Sequence, residues 1–253
     1  MPGVFDVEGR VAVVTGSSSG LGARFARVLH DHGARVVLAA RRADRIEALA
    51  AELGDGRALA VPTDVADEAA CAALIGATLD AFGTVDILVN NAAITRSMRA
   101  LEETTEIFRE VVEVNLVGLF TMAREAGRVM VENGRGSVVN IASALGLVGI
   151  GRIPQASYTA SKGGVVNLTR ELAAQWSRQG VRVNAIAPGW FLSEMTETLF
   201  AHERTQAFFD RTVPMQRPGT EGELDGVLLF LASDASSYVT GQTIAVDGGW
   251  TAV

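Results

Sequence analysis

Short runs of β-branched and aliphatic residues alternate along the chain with longer segments whose apolar residues recur at helical spacing. The runs RVAVVT, RVVLAA and RALAVPT come first, and DILVNNA, GSVVNIAS, VRVNAIAP and QTIAVDGG continue the pattern. Each run is apolar almost throughout, which is typical of strands in a parallel sheet that helices cover on both faces. The alternation predicts an α/β fold with a doubly wound, Rossmann-like parallel sheet.

No linker, internal repeat or low-complexity segment breaks this pattern, and we expect residues 1–253 to form a single domain. Long helical segments are expected from about Leu101 to Glu132, after Tyr158, and near Glu221 to Ala232. The stretch at about residues 190–215 interrupts the alternation, so we expect it to form a substrate loop.

The composition excludes several classes of protein. Basic residues number 22 against 29 acidic residues, for a net charge of −7, and no long basic run occurs, so a nucleic-acid partner is not expected. No apolar stretch is long enough to span a membrane, and MPGVFDVEGR lacks the features of a signal peptide, so we expect a cytoplasmic protein. One cysteine, Cys71, and three scattered histidines provide neither an internal disulfide nor a metal site.

The segment VVEVNLVGLFTM in the long helix is apolar almost all round, although a helix on a sheet needs only one apolar face. A second subunit is the partner that we expect to cover the other face. Bulky loops of the same chain are the alternative.

A glycine-rich turn, TGSSSGLG from Thr15 to Gly22, follows the first strand and opens a helix. Glycines let the backbone approach a pyrophosphate, which the free amides and positive dipole of the helix end then hold. Its spacing is G-x-x-x-G-x-G and differs from the commonest dinucleotide pattern. A purely structural turn is the alternative.

The end of the second strand indicates which cofactor is used. NAD-binding proteins normally carry an acid there for the ribose hydroxyls, but this chain has Ala40 followed by Arg41 and Arg42. Two cations before a helix favour an anionic partner such as the 2′-phosphate of NADP. NAD with two solvated arginines is the less favoured alternative.

Tyr158 and Lys162 are four residues apart at the start of a helical segment, so their side chains leave the same face. An ammonium about 5 Å from the phenol contributes about 3 kcal/mol at an effective dielectric of roughly 20, which favours the phenolate. Tyr158 then becomes a usable acid/base, and Ser143, near the end of the SVVNI run, is placed to bind a substrate oxygen.

These motifs, in this order and over Gly9 to Gly249, resemble the single-domain branch of the short-chain dehydrogenase/reductase family. The N-N-A-G motif of that family corresponds to Asn90, Asn91, Ala92 and Ala93, with alanine replacing the last glycine. The resemblance implies the catalytic residues Asn115, Ser143, Tyr158 and Lys162. It also implies a cofactor-binding set made up of Gly16, Ser18, Ser19, Gly20, Leu21, Gly22, Arg41, Arg42, Asp64, Val65, Asn91, Ala92, Tyr158, Lys162, Pro188, Gly189 and Ser193.

The resemblance further implies hydride transfer between NADP(H) and a ketone or secondary alcohol, and a homotetramer. Ser143 would polarise the carbonyl, Tyr158 would exchange the proton, Lys162 would lower the pKa of Tyr158 and bind the nicotinamide ribose, and Asn115 would position a water. A 3-oxoacyl-thioester reductase and an NAD-dependent alcohol dehydrogenase remain open. A non-catalytic cofactor-binding module, a hydrolase and an isomerase or dehydratase using transient hydride transfer are less favoured.

A small-molecule substrate should contact residues 144–155 and 190–211, which flank the expected cleft. The first stretch is apolar with three glycines, and the second contains Trp190, Phe191, Leu199, Phe208 and Phe209. We therefore favour a hydrophobic or alicyclic alcohol or ketone, although these side chains could instead pack a lid. An anionic substrate group that binds Arg96 and Arg152 is the alternative.

Overall fold

The structure is a computed structural model that describes residues 3–54, 56–191, 204–220 and 222–253, and side chains in these ranges except those of 204–207. In this part of the chain seven strands form one parallel sheet in the order β3-β2-β1-β4-β5-β6-β7. The strands are β1 (Val11–Thr15), β2 (Arg35–Ala40), β3 (Ala58–Pro62), β4 (Ile87–Asn90), β5 (Gly136–Ile141), β6 (Val181–Pro188) and β7 (Thr243–Val246). The predicted doubly wound fold is confirmed.

The helices connect the strands and cover both faces of the sheet. They are α1 (Gly20–Asp31), α2 (Ala43–Leu53), α3 (Glu68–Phe82), α4 (Thr105–Val112), α5 (Leu119–Glu132), α6 (Ala156–Trp176), α7 (Arg204–Thr212) and α8 (Asp225–Ala232). Alternate residues of β1 pack into different layers: Ala12 and Val14 join the core beneath α1, and Val13 joins the core beneath α3 and α5. The inner strands are mostly apolar because both of their faces are buried, whereas the edge strands β3 and β7 are only partly buried.

The strand order reverses at β1, which pairs with β2 on one side and with β4 on the other. In doubly wound folds a crevice opens at such a reversal, beyond the carboxyl ends of the strands. Thr15, Ala40, Asn90, Ile141 and Pro188 are the last residues of β1, β2, β4, β5 and β6, and all these strands end on the side of the crevice.

The long helical segment differs from the expectation in two respects. It begins at Thr105, not near Leu101, because the Thr104 hydroxyl accepts a hydrogen bond from the backbone N–H of Ile107 and caps the helix. A π-helical turn, Glu113–Gly118, then separates α4 from α5. The last predicted helix, expected near Glu221, begins at Asp225, and Glu221 itself lies outside the described residues.

Candidate active site

Tyr158 and Lys162 lie one turn apart at the start of α6 and face the crevice. Lys162 is 2% exposed, and its Nζ atom donates a hydrogen bond of 2.6 Å to the carbonyl oxygen of Ile141. The same Nζ atom lies 5.7 Å from the centre of the Tyr158 ring. The Ser143 side chain lies close enough to the Tyr158 hydroxyl to affect its pKa, and both residues line the cleft. The fold thus brings together three of the four residues predicted to be catalytic.

The pKa shifts of Tyr158 and Lys162 differ from those expected from the attraction between an ammonium and a phenolate alone. Burial raises the pKa of Tyr158, and the interaction with the Ser143 side chain offsets only part of that rise. Burial also lowers the pKa of Lys162 from 10.5 to about 8. We expected the ammonium to lower the pKa of Tyr158, and the structure gives the opposite direction. The reason is that desolvation of the phenolate dominates while Nζ is bonded to the Ile141 carbonyl.

Ser143 is fixed in place by the turn that follows β5. It precedes a 3₁₀ turn, Ala144–Gly146, and its Oγ atom accepts a hydrogen bond of 3.1 Å from the backbone N–H of Leu145. Its side chain is therefore oriented by its own backbone while it contacts Tyr158. A preoriented hydroxyl of this kind is suited to hold a carbonyl or alcohol oxygen.

The glycine-rich turn lies between β1 and α1 and needs its glycines. Gly16 and Gly20 have φ values of 68° and 52°, a backbone region that side chains with a Cβ atom rarely adopt. A Cβ atom on Gly22 would lie 2.2 Å from the carbonyl oxygen of Gly16. The Asn91 side chain donates to the carbonyls of Thr15 and Gly16 at 3.0 and 3.3 Å, which links the turn to the end of β4.

Both predicted phosphate-binding arginines lie beside this turn. Arg42 donates to Ser18 Oγ from Nε at 3.1 Å and from Nη2 at 2.9 Å, and to Ser19 Oγ from Nη2 at 2.7 Å. Arg41 is exposed and lines the same end of the crevice. Two guanidinium groups and the amino-terminal end of α1 therefore give this end of the site a positive potential.

A continuous cleft of about 460 Å³ connects the glycine turn to Tyr158. Its lining includes every predicted cofactor-binding residue that the structure describes, namely Gly16, Ser18, Ser19, Gly20, Leu21, Gly22, Arg41, Arg42, Asp64, Val65, Asn91, Ala92, Tyr158, Lys162, Pro188 and Gly189. Ser193 lies outside the described residues. The volume of the cleft, its glycine-rich wall and the two arginines at one end fit a nicotinamide adenine dinucleotide phosphate.

Asn115 occupies a different position from the other catalytic candidates. It is fully buried in the π-helical turn, and it does not line the cleft among the residues described. Its Oδ1 atom accepts from the Ile94 N–H at 2.8 Å, and its Nδ2 atom donates to the Ile94 carbonyl at 2.9 Å and to Ser161 Oγ at 3.1 Å. In the structure the side chain is a brace between α6 and the segment that follows β4.

Sequence reasoning missed several residues that line the cleft. They are Ala39, Thr63, Ile94, Val114, Ile141 and Ala142. Ile141 ends β5, and Thr63 and Ala142 directly follow β3 and β5, so their positions at the carboxyl edge of the sheet could have identified them.

The aromatic residues of the expected substrate stretch mostly pack on one another. The Trp190 ring lies 5.4 Å from that of Phe208 and 5.5 Å from that of Trp250, and Phe209 and Val213 join the same cluster. Phe191 lines the cleft, whereas Leu199 lies outside the described residues. Most of the described apolar side chains in this stretch therefore pack against one another. Among the described residues of the stretch, only Phe191 lines the cleft.

Comparisons with known proteins agree with this geometry. Residues 16–251 match the family described as enoyl-(acyl carrier protein) reductase. The chain is 45% identical to a galactitol 2-dehydrogenase (L-tagatose-forming) of Cereibacter sphaeroides, over 98% of this chain and 97% of that one. It is 42% identical to a cis-4-hydroxycyclohexanecarboxylate dehydrogenase of Sinomonas cyclohexanicum, over 96% and 97%.

A solved structure of similar architecture contains a cofactor. It is a gluconate 5-dehydrogenase of Burkholderia cenocepacia J2315 in complex with NADP and tartrate. The TM-score is 0.94 at 35% identity, and the match covers 99% of this chain and 98% of the other.

Proposed function

The chain belongs to the short-chain dehydrogenase/reductase family, and we propose that it transfers a hydride between NADP(H) and the carbon of a ketone or secondary alcohol. The observation that carries this proposal is the meeting of Ser143, Tyr158 and Lys162 in one cleft with the glycine turn and two arginines. The galactitol and cis-4-hydroxycyclohexanecarboxylate dehydrogenases act, by their names, on compounds with secondary hydroxyl groups.

Ser143 and Tyr158 would bind the substrate oxygen together, because both residues line the same cleft and the Ser143 side chain is near enough to lower the pKa of Tyr158. The nicotinamide, when bound, supplies or accepts the hydride. In reduction Tyr158 donates its proton to the developing alkoxide. Its raised pKa keeps the phenol protonated for this step, and in alcohol oxidation the phenol must first lose that proton.

Lys162 would hold the cofactor ribose and favour the phenolate once its Nζ atom leaves the Ile141 carbonyl. A buried ammonium has few partners, and ribose hydroxyls are acceptors that it lacks here. Asn115 supports Lys162 indirectly, since its bond to Ser161 fixes the residue before Lys162 on α6. We treat Asn115 as a positioning residue.

NADP is the proposed cofactor, with NAD less favoured. Arg41 and Arg42 stand where an acid would bind the ribose of NAD, and Ala40 ends β2. The related gluconate 5-dehydrogenase was crystallised with NADP, which supports the same choice.

A homotetramer is the proposed assembly. Phe108, Val117 and Phe120, on α4, the π-helical turn and α5, are 37%, 41% and 38% exposed, so the long helical segment presents apolar side chains to solvent. A second copy would cover them. No helix in the described ranges has the length and apolar character needed to cross a bilayer. A cytoplasmic location stays a prediction from the sequence.

The experiment that tests this function measures initial rates by nicotinamide absorbance, with NADPH or NADH and a panel of cyclic ketones, hydroxyketones and a 3-oxoacyl thioester. Ketone-dependent oxidation of NADPH that is lost in Tyr158→Phe, with NADPH binding retained, supports the proposal. Turnover by Tyr158→Phe at the wild-type rate contradicts it. A rate confined to the thioester would identify the acyl-thioester reductase instead.

A further inference from the structure

Gly219 packs so closely against one residue of the cleft wall that it has no room for a side chain. A Cβ atom on Gly219 would lie 2.3 Å from Cε1, 2.4 Å from Cζ and 2.8 Å from Cδ1 of the Phe191 ring. Carbon atoms that are not bonded to each other pack at about 3.5–4.0 Å. The φ angle of Gly219 lies outside the left-handed region, so its backbone does not itself require glycine. The Phe191 ring is therefore what excludes a side chain here.

Backbone hydrogen bonding keeps these two residues side by side. The Gly219 N–H donates to the Trp190 carbonyl at 2.8 Å, and Phe191 and Gly219 form a parallel bridge. Phe191 lines the cleft, is 6% exposed and belongs to the hydrophobic core that includes Leu224 and Leu228. Because that core is close-packed, the cleft is the open volume available to a displaced Phe191 ring. A side chain at position 219 would therefore change the shape of the cleft.

An ion pair closes the strap, the name that we give to residues 217–220. Arg217 Nη1 donates to Glu223 Oε2 at 2.8 Å, and Arg217 Nη2 donates to Glu223 Oε1 at 2.7 Å, so the pair is bidentate. Arg217 Nη1 also donates to the Pro218 carbonyl at 3.0 Å. Glu223 Oε2 also accepts from the Thr220 N–H at 2.7 Å. These bonds hold the strap on both sides of its glycine.

The residue before the strap has a strained backbone. Gln216 has a φ of 55°, and it is the one non-glycine residue with a positive φ in the part of the chain that the structure describes. Its N–H donates to the Val213 carbonyl at 2.8 Å, and the Met215 N–H donates to the Gly248 carbonyl at 3.1 Å. Strained conformations persist where the surrounding structure enforces them. The chain therefore enters the strap along a path that its neighbours impose.

Phe191 and the two arginines, Arg41 and Arg42, lie at opposite ends of the cleft. The arginines follow β2 and Phe191 lies just beyond β6, and four strand spacings of about 4.8 Å, roughly 19 Å in all, separate these strands. In NADP the 2′-phosphate is on the adenosine, and the nicotinamide is at the other end of the pyrophosphate. With the 2′-phosphate at the arginines, the nicotinamide half of the cofactor would reach the residues that follow β5 and β6. Phe191 is one of these residues.

We propose that the strap is a positioning element for the nicotinamide half of the cofactor, an inference that rests on the proposed function of the cleft. Gly219 leaves the Phe191 ring its place in the cleft wall, and the ion pair of Arg217 and Glu223 keeps Gly219 against that ring. Among the described residues, none of Gly219, Arg217 and Glu223 lines the cleft, so each acts through Phe191. The adenosine half of the cofactor should therefore be insensitive to the strap.

Calorimetric titration with two ligands tests the strap without turnover. NADP⁺ contains the nicotinamide, and 2′-phospho-ADP-ribose is the same molecule without it. Gly219→Ala should weaken NADP⁺ binding by about 10-fold or more, because overpacking must displace the Phe191 ring or the strap. It should change the affinity for 2′-phospho-ADP-ribose by less than about 2-fold, because that ligand ends before the affected region. Retained binding of this second ligand also shows that the variant is folded.

Gly222→Ala is the matched control, because a Cβ atom on Gly222 has ordinary contacts, 3.5 Å to Asp225 Oδ2 and 3.7 Å to Arg24 Nη2. Both affinities should stay within about 2-fold of the wild-type values. Phe191→Val removes the three ring atoms that a Cβ atom on Gly219 would meet. In the Phe191→Val background, Gly219→Ala should therefore cause no further loss of NADP⁺ affinity.

The ion pair is tested by Glu223→Gln, which keeps the shape of the side chain and removes its charge. NADP⁺ binding should weaken by about 3-fold, again without a change for 2′-phospho-ADP-ribose. Equal changes for the two ligands, or no change, would overturn the role assigned to the ion pair.

Three results in Gly219→Ala would overturn the strap as a whole: equal losses for both ligands, unchanged affinity for both, or a full additional loss in the Phe191→Val background. If the wild type binds neither ligand, the NADP assignment in the proposed function is wrong. NAD⁺ and ADP-ribose then replace the two ligands. A selective loss of NAD⁺ affinity in Gly219→Ala would support the strap, and equal effects on both ligands would overturn it.

Discussion

Lys162 donates its hydrogen bond to Ile141 across the floor of the cleft, 2.6 Å from Nζ to the carbonyl oxygen at the end of β5. The ammonium is buried, and no carboxylate is hydrogen-bonded to it in the part of the chain that the structure describes. Desolvation therefore acts on it with little compensation and lowers its pKa to about 8. This relationship makes the stability of the protein depend on pH.

The free energy of unfolding should rise between about pH 8 and pH 10 because of Lys162. In this window the unfolded chain holds the lysine proton and the folded chain releases it, so a higher pH favours the folded state. With a folded pKa of about 8 and an unfolded pKa of 10.5, the rise over this window is about 2 kcal/mol. Chemical denaturation at several pH values measures it.

The control is Lys162→Met, which removes the titrating group. The unfolding free energy of the wild type minus that of Lys162→Met should increase by about 2 kcal/mol between about pH 8 and pH 10. Cys71 and Tyr158 have raised pKa values and act in the opposite direction at the upper end of the window. Both residues are present in the wild type and in Lys162→Met, so their contributions cancel in the difference between the two proteins. Parallel curves for the two proteins would contradict the buried, charged Lys162.

Arg41 and Arg42 should each contribute to the affinity for NADPH and not to that for NADH. A charge-assisted hydrogen bond to a phosphate contributes about 1.5–3 kcal/mol, so Arg41→Ala and Arg42→Ala should each weaken NADPH binding by about 10- to 100-fold. NADH binding should change by less than about 3-fold, since it lacks the 2′-phosphate. Fluorescence titration reports both affinities.

Arg45→Ala is the matched control, because Arg45 lies on α2 beyond the cleft lining. It should leave the ratio of the two affinities unchanged. Equal losses for NADPH and NADH in Arg42→Ala would instead indicate that its bonds to Ser18 and Ser19 only shape the glycine turn.

Glu103 should stabilise the start of α6, which has no side-chain cap of its own at Gln155. The Ser157 hydroxyl is fully buried and donates to the Glu103 carboxylate. Glu103→Ala leaves that donor unpaired at a cost of about 1–3 kcal/mol, whereas Ser157→Ala removes the donor itself and should cost less. The double variant should resemble Ser157→Ala. Thermal unfolding of the four proteins completes the cycle, and additive losses would contradict the bond.

Gly22 and Gly76 should respond in opposite ways to substitution by alanine. A Cβ atom at position 22 meets the Gly16 carbonyl oxygen at 2.2 Å, so Gly22→Ala should distort the glycine turn and weaken NADPH binding. Gly76 lies within α3, and apart from its chain neighbours and the backbone of that helix no described atom lies within 4 Å of the place that a Cβ atom would take. Gly76→Ala should therefore stabilise the protein by about 0.5–1 kcal/mol. Calorimetry and titration with NADPH distinguish the two effects. A stabilising Gly22→Ala variant would contradict the close approach.

The sequence was informative wherever a property repeats at short range. Apolar runs identified the strands, and the spacing of Tyr158 and Lys162 placed both side chains on one face of α6. Strand ends then located most of the cleft, because parallel strands end at the same edge. Local pattern and topology together were sufficient for these features.

Features that depend on contacts between distant segments could not be predicted in this way. The π-helical turn around Asn115 accompanies its bonds to Ile94 and Ser161, which are 21 and 46 residues away. Burial by the surrounding fold raises the pKa of Tyr158, whereas we had expected Lys162 to lower it. Trp250 joined the aromatic cluster from the carboxyl-terminal turn, which no periodicity indicated.

The transfer of deuterium from labelled NADPH tests hydride transfer most directly. NADPH carrying deuterium at the 4R or the 4S position of the nicotinamide is incubated separately with the protein and 2-hydroxycyclohexanone, and the product is examined by mass spectrometry. A dehydrogenase should yield a diol heavier by one mass unit from one of the two labelled cofactors, and Tyr158→Phe should yield almost none. A product of unchanged mass from both labelled cofactors would contradict the account.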